Sequence, residues 1–175
     1  EYEIRLSHVG SEIGIRDRVA APSDDPRSLN EFTAQMVTLL AQMIETDFKP
    51  RDIVGLNSLR NATIVAMAIG GSTNALLHAP EIARAAGFAD FWKDIITPEE
   101  FNHLSQHVVP VLTNARPYGK YSMVDIDEVG GVQLIVRELL EAGLLNGDVL
   151  TFPGETLAAQ VARLGVKRAA RARIC

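Results

Sequence analysis

The chain has 175 residues, 47% of them hydrophobic and 22% charged, which is the balance of an ordinary globular domain and excludes a disordered or fibrous polypeptide. Its formal net charge of −5 argues against a general nucleic-acid binder, which neutralises phosphates with concentrated Lys and Arg. The single cysteine, Cys175, excludes a disulfide scaffold and any zinc or iron–sulfur site that this chain would build from its own thiolates.

No run approaches the ~18 to 20 apolar residues of a membrane span, and the first twenty residues carry no signal-peptide pattern. A cytoplasmic protein with no membrane partner is expected. Residues 1–27 show no sustained period, and Ala20 to Ser28, "AAPSDDPRS", has the Pro, Ser and Asp density of a loop. Ser28 followed by Glu31 forms a capping-box pattern. Leu29, Phe32, Met36, Val37, Leu40, Met43 and Ile44 then recur at the spacing of one helical face, predicting an amphipathic helix that ends near Lys49-Pro50.

Leu56 to Ile69 is apolar on nearly every side after its first turn, which predicts an enclosed helix stopped by Gly70 and Gly71. Ala75 to Ala86 predicts another, capped at Gly87 and kinked or divided at Pro80. These two helices are expected to expose apolar surface that a second copy of the chain covers. Thr97-Pro98-Glu99-Glu100 reads as a helix start with Thr97 as cap and Glu100 closing a box, the helix running to about His107. Val108 to Thr113 and Val149 to Phe152 read as short strands. Val132 to Ala142 reads as a helix burying Leu134, Ile135, Leu139 and Leu140, with Gly143 as its cap and a turn at Asn146-Gly147. The whole is a helix-rich α/β layered domain with a few short, mostly parallel strands.

Candidate chemistry centres on Gly70, Gly71, Ser72, Thr73 and Asn74, with His78 one turn further on. Two glycines permit close backbone approach. Ser72 or Thr73 as N-cap would leave amides at a helix N-terminus, where carboxylate and phosphate are attracted. Asn74 and His78 are four apart, so both can reach one ligand from one face. The same pattern suits a plain connector in which Ser72 only caps the helix, and the local residues leave both readings open. "YGKYS" at 118–122 is not a phosphate loop: Tyr121 stands where Ser or Thr is needed and Asn114 where the first glycine belongs. His103 and His107 have metal-like spacing but no glutamate between them and no evident third ligand, so they read as a surface pair. Asp125, Asp127 and Glu128 fit either a cation or acid–base site or the first turn of a helix, and the helix turn is the simpler reading.

Taken in order, "AIGGSTNALLHAPEIARAAG", "VPVLTNARPYGKYSMVDIDEVGGVQLIVRELLEAGLLNGDVLT" and "GETLA" resemble the dihydroxyacid and 6-phosphogluconate dehydratase family, which includes sugar-acid dehydratases. The resemblance runs from about Lys49 to Leu157. It implies a hydro-lyase that removes water from a 2,3-dihydroxy acid (branched-chain dihydroxy acid, sugar acid or phosphogluconate) to give a 2-keto acid. It also implies an iron–sulfur cluster as Lewis acid, a nearby Mg2+ and a serine base. The family's three cluster cysteines would lie upstream of GGSTN and its serine downstream, so this chain carries no catalytic or metal-ligating residue of its own. It is expected to be a central fragment, inactive alone and binding no cofactor by itself. Residues 1–27 would form an irregular segment, 28–157 part of the dehydratase-like N-terminal α/β domain, and 158–175 a basic, poorly matched tail. GGSTN and His78 would line the pocket for a small dihydroxy acid in a homo-oligomer. The alternative is a non-catalytic module derived from that family that binds a small acid or another subunit.

Overall fold

The structure is a computed structural model that describes residues 26–116, 119–152 and 154–164. The expectations for residues 1–25 and for the basic cluster at 167–173 fall outside these.

Helix α1 spans Pro26–Glu45, starting two residues before the predicted cap because proline is pre-organised for a first helical position. It stops short of Lys49-Pro50. Asp47 adopts a left-handed φ of 53°, and Phe48 N–H donates to Met43 O at 2.9 Å, a Schellman-type closure that terminates the helix. After a single turn, α2 (Pro50–Ile53), the predicted helix α3 runs Leu56–Ile69 and ends at Gly70, φ 69°. Only glycine adopts that left-handed cap without strain. Helix α4 spans Asn74–Ala85 as one element that includes Pro80, so of the two outcomes expected there, a kink or a division, the division is corrected: the lost N–H costs one bond without ending the helix. Phe88 N–H closes its end on Ala83 O at 2.9 Å.

Helix α5 is the turn Phe91–Asp94. Helix α6 spans Pro98–His103, with the Thr97 hydroxyl accepting from Glu100 N–H, and it continues as a π-helical turn over Leu104–Val108. The predicted reciprocal half of that capping box is absent, because the Glu100 carboxylate pairs with Arg60 of α3 instead. Helices α7 (Met123–Glu128) and α8 (Gly131–Glu141) follow. Helix α9 (Leu157–Leu164), absent from the sequence-based reading, packs on α8.

Among the described residues there is no β-strand pair beyond isolated bridges at Ala115–Tyr121, parallel, and Leu150–Thr156, antiparallel. The helix-rich character stands, and the two short strands are corrected. Val108 belongs to the π turn. From there the chain runs extended against the end of α3: Leu112 N–H donates to Ala68 O at 2.7 Å and the Thr113 hydroxyl to Ile69 O at 2.8 Å. An extended segment needs partners for its backbone, and here the unsatisfied carbonyls of a helix C-terminus supply them in place of a neighbouring strand. Val149 to Phe152 likewise turns back on itself, with Thr151 N–H bonding Glu155 O at 2.8 Å.

The core is shared by α3, α4, α8 and the segments between them. Leu59, Ile64 and Val65 of α3 meet Ala79 and Ala83 of α4, Leu134, Ile135 and Leu139 of α8, and Phe91, Ile96 and Ile126. Burying a side chain as completely as Leu139, 1% exposed, contributes roughly 1.5–3 kcal/mol. Leu140 is only half-buried, whereas Gln133 and Val136 of the same helix are fully covered.

One polar device ties distant parts of the chain. Asn61, 7% exposed on α3, donates from Nδ2 to Asn146 O at 2.8 Å and accepts from Asn146 N–H at 2.9 Å. Its carboxamide thus satisfies both backbone groups of a residue 85 positions away, as a strand neighbour would. The turn it holds is itself closed by Asp148 N–H on Asn146 Oδ1, which realises the predicted Asn146-Gly147 turn.

Candidate functional site

The loop from Gly70 to Asn74 joins the end of α3 to the start of α4, and all five residues are exposed. Gly71 N–H donates to Ala66 O at 2.8 Å. A Cβ at Gly71 would stand 2.9 Å from that same oxygen, so glycine is required here by the chain's own helix end. Val111 of the extended segment covers Gly70, with its Cγ1 3.7 Å from where a Cβ would be, and is itself 66% exposed. This neighbour is not visible from local pattern, because "VPVLTN" reads as a strand until its bonds to the end of α3 are known.

Capping falls to Ser72. Its hydroxyl accepts from Asn74 N–H at 3.2 Å and from Asn74 Nδ2 at 3.0 Å. Ala75 N–H is taken by Ser72 O at 3.0 Å, and Leu76 and Leu77 N–H by Thr73 O. The Thr73 hydroxyl makes no capping bond. The donor set expected at this N-terminus is therefore smaller than the sequence implied: among the described residues, the backbone amides left without a protein acceptor are those of Ser72 and Thr73. They lie in an exposed loop. Asn74 and His78 share a face of α4 and both are exposed, but the Asn74 carboxamide is drawn toward Ser72.

The second glycine-dependent turn lies one step beyond Thr113. Tyr121 N–H donates to Asn114 O at 2.9 Å, and Lys120 N–H to Asn114 Oδ1 at 3.2 Å. A Cβ on Gly119 would stand 2.2 Å from the Asn114 carbonyl carbon, which no backbone accommodates. Lys120 lies over the Tyr121 ring, 5.4 Å from its centroid.

Asp125 takes the structural role: its Oδ2 accepts from Ser122 N–H and from the Ser122 hydroxyl, both at 2.7 Å, at the start of α7. The Ser122 hydrogen bonds hold its carboxyl below the usual carboxylate range. Glu100 is also held below it, chiefly by the hydrogen bond from Arg60. Among the described residues no group of three or more His, Cys, Asp or Glu is placed to hold a metal ion, and Cys175 lies outside them. These residues do not form the ligand set of an iron–sulfur cluster. No described helix is long and apolar enough to cross a membrane. An open cavity of about 680 Å³ lies between α8 and α9, lined by Arg137, Leu140, Leu145, Ala158 and Val161 among others. It includes none of residues 70–74.

The site is thus a small polar loop between two helix ends with an extended segment beside it. Comparison with known proteins gives the family. Residues 15–160 match the family described as dihydroxy-acid/6-phosphogluconate dehydratase N-terminal. Similar curated proteins include the chloroplastic dihydroxy-acid dehydratase of Arabidopsis thaliana, 44% identical over 137 residues, 78% of this chain and 21% of that protein. The dihydroxy-acid dehydratase of Sulfolobus acidocaldarius is 45% identical over 118 residues, 67% of this chain and 20% of that one. That of Albidiferax ferrireducens is 41% identical over 150 residues, 86% and 25%. The chain belongs to the dihydroxy-acid/6-phosphogluconate dehydratase family. It spans about a fifth to a quarter of the length of these relatives.

Proposed function

We propose that this chain supplies the central part of the N-terminal domain of a hydro-lyase that dehydrates a 2,3-dihydroxy acid to a 2-keto acid, with residues 28–157 as the family-like portion. The observation that carries the reading is the family match over residues 15–160, together with relatives named dihydroxy-acid dehydratase at 41–45% identity. Hydroxide is a poor leaving group, so the reaction needs an acid or a metal to take up its charge. The iron–sulfur cluster and Mg2+ implied by the resemblance would be held by polypeptide outside the described residues, and this chain alone would be inactive. In the same reading the few parallel strands of an α/β layered domain are completed by the longer polypeptide.

The part assigned to this chain's own residues is binding. The amides of Ser72 and Thr73 hold the substrate carboxylate, Asn74 and His78 border it, and Gly70 and Gly71 let it approach the backbone. Charge-assisted bonds from backbone amides to a carboxylate are short and strong, and the α4 dipole adds to them. A homo-oligomer is part of the proposal, supported by the exposed apolar face of α1 discussed below. The test is direct: the full-length protein, with cluster and Mg2+ present, is offered branched-chain dihydroxy acid, sugar acid and phosphogluconate, and keto acid is measured. Turnover of at least one of them is expected. Turnover of none, with the cluster confirmed spectroscopically, overturns the reading in favour of a non-catalytic module.

A further inference from the structure

We propose that His103 and His107 form a two-imidazole site for one borderline divalent ion, Zn2+ or Cu2+. His103 is the last residue of α6 and His107 lies in the π-helical turn that follows. Both are exposed, and their ring centroids are 5.5 Å apart with the planes tilted by 48°. A metal held by an imidazole nitrogen at ~2.0–2.1 Å sits ~3.2 Å from the ring centre, so two rings sharing one ion at a tetrahedral or slightly wider angle have centres ~5–5.5 Å apart. The observed separation falls at the upper end of that range. The tilt matches neither the offset stack nor the edge-to-face contact that aromatic pairs prefer.

The platform is fixed. Leu104, 9% exposed, anchors the π turn in the core, and Val109 N–H closes the turn on Leu104 O at 2.8 Å. Turns of this kind interrupt helices at functional sites more often than elsewhere. Among the described residues no third His, Cys, Asp or Glu completes the group. In this proposal water or an outside ligand fills the remaining positions, and the site is exchangeable where a structural zinc site is closed. This inference does not depend on the dehydratase reading.

The test is calorimetric titration of the chain with ZnCl2 and, separately, CuCl2 in a non-coordinating buffer. One ion per chain is expected, with Cu2+ bound more tightly than Zn2+. His103→Gln and His107→Gln should each weaken binding at least about tenfold, since each converts a chelate into a single contact. Single variants that stay within about threefold of the parent affinity would overturn the proposal. Proton NMR guards against a folding artefact. In the parent chain the Hε1 signals of both imidazoles should move with one shared Zn2+ midpoint, and two separate midpoints would equally overturn it.

Discussion

Helices α1 and α3 are both legible in the sequence, α1 by a single apolar face and α3 by its nearly all-round apolar surface, yet they end in opposite situations. Helix α3 buries Leu59, Ile64, Val65 and Ala68 against α4 and α8. Helix α1 leaves Val37, Leu40 and Ile44 exposed at 63%, 56% and 73%, positions three and four apart on one face. The apolar surface expected on α3 and α4 is largely covered, with Leu77 of α4, 69% exposed, as the main exception. The uncovered stripe lies instead on α1. Periodicity reports that a helix has a face to bury; what buries it is decided by the rest of the fold.

That contrast can be broken by experiment. The largest effect is expected in the core: Ile64→Ala, at a site 3% exposed, should lower unfolding free energy by about 2–5 kcal/mol, measured by urea denaturation. Asn61→Ala comes next. Removing the clamp on Asn146 leaves two backbone groups to find water and should cost about 1–3 kcal/mol. Leu40→Ala in α1 should change the stability of a monomeric chain by no more than about 0.5 kcal/mol. If light scattering finds a dimer, the same change should weaken its association, and a loss as large as that of Ile64→Ala in a monomer would mean that α1 is packed after all.

The Arg60–Glu100 pair is expected to have an effect of similarly small size. The Glu100 carboxyl titrates below its ordinary 4.5 when folded, so its contribution is present above the ordinary carboxylate range and is lost as pH falls through the folded value. The Glu100 side chain is 39% exposed, so solvent screening limits the pair to about 0.2–1 kcal/mol. Glu100→Gln should narrow the difference between the urea-derived unfolding free energies at neutral and acid pH by that amount and leave the remaining acid sensitivity in place.

Much of the fold was legible because its signals are local. Leu56 to Ile69, the glycine stops at 70, 87 and 143, and the Thr97 cap are fixed by residues within a few positions of each other. The strands at 108–113 and 149–152 were misread because extended apolar residues advertise a need for backbone partners and not their identity. Those partners are a helix end in one case and a tight return in the other. The possible division at Pro80 did not occur for a similar reason, since a local penalty competes with tertiary packing that a sequence does not display. At the candidate site the need for a glycine at Gly71 was legible, but Ser72's double role was not. A hydroxyl that caps Asn74 and also holds its side chain removes donors that the motif alone counts as free.

The central claim is that the exposed amides at Ser72 and Thr73 bind the substrate acid. Steady-state kinetics of Ser72→Ala and Asn74→Ala in the full-length, cluster-loaded protein test it most directly, with Ser72→Thr as the variant that keeps the hydroxyl cap. The account predicts that both alanine variants raise KM or lower kcat by at least about tenfold, ~1.4 kcal/mol of transition-state or ground-state binding, while Ser72→Thr stays near the parent. Unchanged kcat and KM in both alanine variants would contradict it and leave the loop a connector between two helices.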